Sequence, residues 1–437
     1  MGKVFRGEIR NIADLDRQME EVLKKVPLYY DDNKLWYRWN FEDFKWELVD
    51  ETDILISIDE ETDIANISQR MINSQIITAL KMASRKKRPR DLRNTQVQIK
   101  SKIVDVASGE EMDASPDYFC FNPIEWEVGE SEETPTIDSL MVEWVGKENT
   151  KKMYQWIAYQ MLPEYIIHRV FILIGNGSNG KSTFIDLLRR FIGDNNYSAG
   201  DYETVFGRRF GTSILYKKLS VLMPESDFGK ISNTATFKSA TGGDAIPVEF
   251  KNKGVFNYKN YAKVTISANS LPPTLDKTDS FYRRVNIVDF PNQFKEKYDV
   301  LGSIPDYEFN NLACKCLRLL KELIKEGIFD KEKDIDKKRE KYEKLSNPLS
   351  VFIEDELDEN SDHYISKREF NTKANRWLRD HSHRSLTNKE ITKFMKEMYQ
   401  EGWGSFVCDK GEKRSERVWM GVKWKGEEVK ISEERID

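Results

Sequence analysis

Val170-Phe-Ile-Leu-Ile174-Gly175-Asn176-Gly177-Ser178-Asn179-Gly180-Lys181-Ser182-Thr183-Phe-Ile-Asp-Leu-Leu188 runs from an apolar strand through a glycine-rich turn into a helix. Five consecutive apolar residues predict a strand covered on both faces. The turn fits G-x-x-x-x-G-K-[ST], in which glycines let successive backbone N–H groups curl around phosphates at a helix amino end. Residues 175–183 are therefore the expected nucleotide-binding loop, with ATP and Mg2+ as its ligands. Lys181 is expected against the β- and γ-phosphates, and the Ser182 hydroxyl on the magnesium ion.

Working outward, two more short apolar runs, Leu219–Met223 and Ala262–Ser267, are separated by helical stretches and predict a parallel α/β sheet. The first leads into Glu225, the expected acid for the metal and the attacking water. The second ends at Asn269, a polar residue suited to touch the γ-phosphate or its water. Beyond it lie Leu271-Pro-Pro, Asp276 and the pair Arg283-Arg284, read as part of the ATP site and as arginine-finger candidates. Between the two polar-ended strands, residues 246–258 alternate on either side of Lys251-Asn-Lys253-Gly, which predicts a hairpin with a basic tip.

This order of loop, acid-ended strand, Thr241-Gly-Gly-Asp244, hairpin, Ser267-Ala-Asn269 and Arg283-Arg284 resembles the superfamily 3 helicases. It is closest to the phage/plasmid primase–helicase family that includes poxvirus and phage replication helicases. Ser115-Pro-Asp-Tyr-Phe and Asn122-Pro-Ile resemble the domain preceding that core. The resemblance implies an AAA+-like ATPase core, a hexameric ring and translocation on single-stranded DNA. It also implies ATP held between subunits, with Arg283, Arg284 or both reaching in from the neighbour. Lys251 and Lys253 on the hairpin would grip DNA, with Phe250 packed or stacking nearby. Forked DNA is the expected substrate, and a primase or polymerase is a partner the resemblance admits. Pro224 stands where many such ATPases place the first of two acids. Asp14-Leu-Asp16 and Asp334-Ile-Asp336 lie in charged helical sequence and read as solvated faces, so no primase site is expected.

The flanks predict two further regions. Residues 1–135 read as α+β, with helices at 13–25 and 63–84 and an aromatic hairpin from Leu35 to Val49. The Arg85–Arg90 run reads first as a solvated helix end, with a nucleic-acid patch as the alternative. Residues 136–345 read as the helicase core with flanking helices, and 346–437 as a winged helix. In that last region the expected helices are 348–357, 367–380 and 387–401, followed by a hairpin around Lys410, Lys413 and Arg414.

Composition sets limits. The 437 residues carry 69 Lys+Arg against 74 Asp+Glu, a net charge of -5, so any DNA contact must be local. The four cysteines form no Cys-x-x-Cys pair, so a reduced compartment is expected and a zinc site is not. No apolar run approaches a membrane span and no secretory signal is visible, which predicts a soluble protein of the cytoplasm, the host's if the source is viral. A replication initiator that uses ATP as an assembly switch and a duplex DNA translocase are the alternative readings.

Overall fold

A computed structural model describes residues 12–61, 70–175, 177–224, 234–269, 271, 274, 276–295, 299–381, 385–407 and 413–426. The chain begins with α1 (Ile12–Lys25), then β1 (Leu28–Tyr30), β2 (Trp36–Asn40) and β3 (Lys45–Val49), which pair as an antiparallel sheet. The helices that follow are α2 (Glu51–Glu61) and α3 (Arg70–Arg85). α3 lies within the helix expected over 63–84 but for its last residue, and residues 62–69 lie outside the described residues; α2, from Glu51, is a helix that the sequence reading does not include. Asp50 accepts from the amides of Thr52 and Asp53 at the start of α2, a capping signal that fixes where it begins. The basic run is pinned by its own chain. Arg85 lies over the Tyr30 ring, Arg90 lies over Tyr118, and Arg88 pairs with Asp91.

A second antiparallel sheet, β4 (Gln96–Ile99), β5 (Lys102–Asp105) and β6 (Glu111–Asp113), precedes the paired helices α4 (Pro135–Val145) and α5 (Lys147–Gln160). Val97, Ile99 and Val104 share one apolar cluster with Trp144, Trp156, Phe184 and Leu312, so packing is continuous across residue 135.

Next come β7 (Val170–Ile174), α6 (Lys181–Ile192), β8 (Tyr197–Ala199) and β9 (Ser220–Met223). They are followed by α7 (Ala235–Ala240), the hairpin β10 (Ala245–Glu249) and β11 (Val255–Lys259), β12 (Lys263–Ala268), α8 (Asp279–Tyr282) and β13 (Val285–Asp289). Five of these strands form one wholly parallel sheet in the order β13-β7-β12-β9-β8. Strand periodicity sends Phe171 and Leu173 of β7 to one face and Val170, Ile172 and Ile174 to the other, each into a separate buried cluster. Trp156 of α5 stacks on Phe171 with ring centroids 4.0 Å apart. Each such apolar side chain removed from water contributes about 1.5–3 kcal/mol. This is why the strands read as continuous apolar runs.

The long α9 (Asp306–Glu326) closes the first face, and α10 (Ile335–Ser346) covers the β13 edge. The remainder is α11 (Pro348–Glu356), β14 (Leu357–Ser366), α12 (Lys367–Asp380), α13 (Asn388–Met398), β15 (Glu401–Val407) and β16 (Lys413–Trp424). Its sheet runs β14-β16-β15, antiparallel throughout, around a core that includes Phe352, Phe370, Ile391 and Trp419. A full capping box, Thr387 with Glu390, starts α13. No helix among the described residues is long and apolar enough to cross a membrane. Burial pushes the Cys120 thiol up to about 12 and places Cys316 in the core.

Candidate functional site

The glycine-rich loop leaves the carboxyl end of β7. Ile174 there is flanked by Ala268 of β12 on one side and Asp289 of β13 on the other. From that loop the chain crosses to the far edge as β8 and returns strand by strand to β12. The site therefore lies where strand order reverses, the usual place for a ligand in an open parallel sheet.

Two glycines are fixed by close approach. A Cβ on Gly175 would stand 1.8 Å from the Asn179 amide nitrogen and 2.6 Å from the Phe290 carbonyl oxygen. Gly180 has φ 88°, and a Cβ there would meet the Trp144 ring at 2.3 Å. Gly180→Ala is expected to cost about 1–3 kcal/mol through left-handed strain and the clash. It should lower the melting temperature and weaken nucleotide binding together; an unchanged melting curve would contradict this account of the turn.

Lys181 is buried at the first position of α6. Its ammonium donates to the Gly175 carbonyl at 2.5 Å, Asn179 Oδ1 at 3.0 Å and Asn269 Oδ1 at 3.1 Å. The lysine and the asparagine, 88 residues apart in sequence, thus meet at one point. The N-cap of α6 is Gly180, which has no side chain to cap the helix's amino end. Beside it is a cavity of about 500 Å³ lined by the loop, Ser182, Thr183, Ser267 and Asn269, with Trp144, Phe294 and Val300 among its other walls. Ser267 Oγ is buried without a hydrogen-bond partner. Tight glycines, an uncapped helix end, a lysine and an orphaned hydroxyl fit a polyphosphate, and the aromatic wall fits a flat base. Sequence reasoning does not reach Trp144, Phe294 or the role of Ser267. Nothing in the spacing of the first two marks them, whereas Ser267 sits two residues before Asn269 on a strand already identified.

Not every expected residue is brought here. Asn176 and Glu225 lie outside the described residues; β9, which leads to Glu225, is paired directly with β12. Arg283 and Arg284 sit at the opposite end of the sheet, where the Arg284 carbonyl accepts from Val170 N at the start of β7. They cannot reach the loop of their own chain. Arg284 is also corrected as a residue that reaches across a boundary. It is 4% exposed, its guanidinium donates to Ser280 and to the Lys238 carbonyl, and burial with neighbouring Arg283 pulls its pKa down. Arg283 alone of the pair is exposed.

The expected hairpin is present, and its register sets Glu249 opposite Val255. Lys251 and Lys253 are exposed at its tip. Phe250, expected to pack or to stack beside the lysines, is half-buried and packed. Its ring packs edge-on against Tyr216 at 5.4 Å and beside Phe256 at 6.0 Å. Tyr216 in turn shares a 2.5 Å hydrogen bond with Tyr37 of β2, so the aromatic N-terminal sheet braces the base of the hairpin.

Residues 173–284 match a family described as of unknown function, DUF5906. A putative helicase of Acanthamoeba polyphaga mimivirus is 30% identical over 131 residues; the match covers 28% of this chain and 14% of that protein. The chain thus spans about a seventh of the length of that curated relative. An apo structure of the C-terminal region of NrS-1 aligns over 93% of this chain and 99% of its own at 15% identity, with a TM-score of 0.50. A second apo structure of that region aligns over 94% and 100% at 14% identity, with a TM-score of 0.49. The similarity to NrS-1 is one of fold: an α/β arrangement about a parallel sheet, shared along nearly the whole chain.

Proposed function

We propose that the chain is the motor of a superfamily 3-type DNA helicase, an ATPase that assembles as a hexameric ring, moves on single-stranded DNA and opens the duplex. The meeting of Lys181 with Asn269 beside the uncapped end of α6 carries this reading. In it, the loop amides and Lys181 hold the phosphates of ATP, and Trp144 and Phe294 flank the base. Ser182 and Glu225 would hold Mg2+, which neutralises phosphate charge when bound. Asn269 orients the attacking water and Glu225 polarises it. Catalysis is then positioning with charge compensation in a site from which water is partly excluded.

The arginine would come from a neighbour, because Arg283 stands at the sheet end remote from its own loop. Arg283→Ala alone should be inactive as a ring, by about three orders of magnitude in turnover. Mixed with Lys181→Ala subunits it should regain hydrolysis, since some interfaces then pair an intact loop with an intact arginine. No recovery in verified mixed rings would rule out action in trans.

The C-terminal region supports a winged helix by its order of helix, strand, two helices and hairpin, with α13 as recognition helix and the hairpin as wing. The tip residue Lys410 lies outside the described residues, while Arg414 is exposed on β16. The function is tested by strand displacement on a forked substrate, alongside sizing with an ATP analogue and single-stranded DNA. ATP turnover and ring assembly with no displacement would favour an initiator that switches on ATP. Stimulation by duplex alone would favour a duplex translocase.

A further inference from the structure

Along β13, the edge strand of the parallel sheet, a cavity of about 300 Å³ opens between that strand, α5 and α10. Five lysines line it: Lys152, Lys331, Lys333, Lys338 and Lys341. Two of them have a structural duty. Lys338 donates to the Arg283 carbonyl at 3.1 Å and Lys341 to the Ile287 carbonyl at 3.2 Å, which blunts the edge strand, and each also has a carboxylate, Glu332 and Asp289. Glu332 is shared with Arg169, so it compensates less than its charge implies.

The other three lysines are not accounted for in this way. Lys152 donates to the Lys331 carbonyl at 3.2 Å and Lys331 to the Glu148 carbonyl at 3.4 Å; both acceptors are neutral. None of Lys152, Lys331 and Lys333 forms an ion pair among the described residues. Burial lowers the Lys152 pKa; Asp330 and Glu332 oppose that shift, and the charges of Lys341 and Lys333 add to it. Asn286 of β13 lines the same cavity, is 6% exposed, and its amide nitrogen meets no acceptor. Two carboxylates, Glu148 and Asp289, also line the cavity, and Asp289 is already paired with Lys341; five lysines against these two, with an unpaired buried donor, leave the site in need of anionic charge. No aromatic side chain lines it, in contrast to the nucleotide cavity, so it offers a base nothing to stack on.

We infer that this cavity is a second nucleic-acid contact, which takes a backbone phosphate of single-stranded DNA on Lys152, Lys331 and Lys333. Recognition there is of charge and carries no sequence information. The inference rests on the DNA-motor reading and adds to it a grip at the sheet edge beside Arg283, apart from the hairpin.

The test is binding of labelled oligothymidylate at several salt concentrations by the full chain, by Lys152→Ala/Lys333→Ala and by Asn286→Asp. The second variant keeps side-chain size but supplies a carboxylate for the lysines to bind. Melting curves check that both variants fold. Each variant should bind severalfold more weakly at low salt, with a salt slope shallower by about 0.7 for each phosphate no longer neutralised. Folded variants that bind DNA with wild-type affinity and slope overturn the inference. Loss of tripolyphosphate binding with DNA binding unchanged also overturns it, by assigning the cavity to a small anion. If the wild-type chain binds no DNA at any salt concentration, the motor reading falls and takes this inference with it; wild-type binding with unaffected variants removes this inference alone.

Discussion

Lys181→Ala is expected to lower ATP turnover by about two to three orders of magnitude, the loss of roughly 3–4 kcal/mol of charge stabilisation at the transferring phosphoryl group. The ammonium touches the Gly175 carbonyl, Asn179 and Asn269 at once, so removing it takes away both a charge and the strut that joins the loop to β12. The helix itself should persist, because Phe184, Leu187, Leu188, Phe191 and Ile192 anchor α6 in the core independently of its first residue. Far-ultraviolet circular dichroism and a melting curve, run beside a phosphate-release assay, separate the two effects. A folded variant with near-normal turnover would remove the basis for an ATPase, and with it every later step of the proposal.

The site and the fold are legible in the sequence to different degrees. The parallel sheet can be read because its strands are buried on both faces, so β7 is an unbroken apolar run and the apolar residues of β9 and β12 stand out from the charged sequence around them. Four polar residues are buried within them, Ser220, Lys263, Thr265 and Ser267; Lys263 donates to the Leu162 carbonyl, and burial holds its pKa well below the ordinary lysine range. β14 escapes such a reading because Asp358-Glu-Asn-Ser-Asp-His363 is polar throughout its exposed middle; its place is set by pairing with β16, a long-range partner that local pattern does not encode. β6, only Glu111-Met-Asp113, escapes for the same reason.

Within the site, the glycines, Lys181 and Asn269 are legible from spacing because backbone geometry demands them. The adjacent arginines are not separable by sequence. A residue at the helix–strand junction turns inward or outward according to its packing, and here Arg284 enters and Arg283 stays out. Whether Phe250 packs or stacks is likewise not separable by sequence. Alternation places it on the hairpin, but only the fold reveals Tyr216 waiting beneath it.

The inward packing of Phe250 leaves the lysines as the hairpin's grip, and the connection behind them makes the last prediction specific. β11 passes into β12 through Asn260, which is 1% exposed and donates to the Ala240 and Ala262 carbonyls while accepting from Ala262 N. That joint is stiff. β12 then runs six residues, about 20 Å at the usual strand rise, to Asn269 and its contact with Lys181. A change at the phosphate end of β12 can thus be passed to the tip as a displacement of the whole strand and hairpin. The brace from Tyr216 to Tyr37 gives the hairpin a fixed base to move against. Lys251→Ala/Lys253→Ala should reduce DNA-stimulated hydrolysis towards the DNA-free rate and abolish unwinding. The salt slope of single-stranded DNA binding should become shallower by up to about two, at roughly 0.7 per phosphate released from each engaged subunit. Melting should be unaffected, since both side chains are exposed and Ile246 and Val248 hold the hairpin in the core. Normal unwinding with an unchanged slope would make the hairpin a structural ornament of the sheet and would move the grip to another surface.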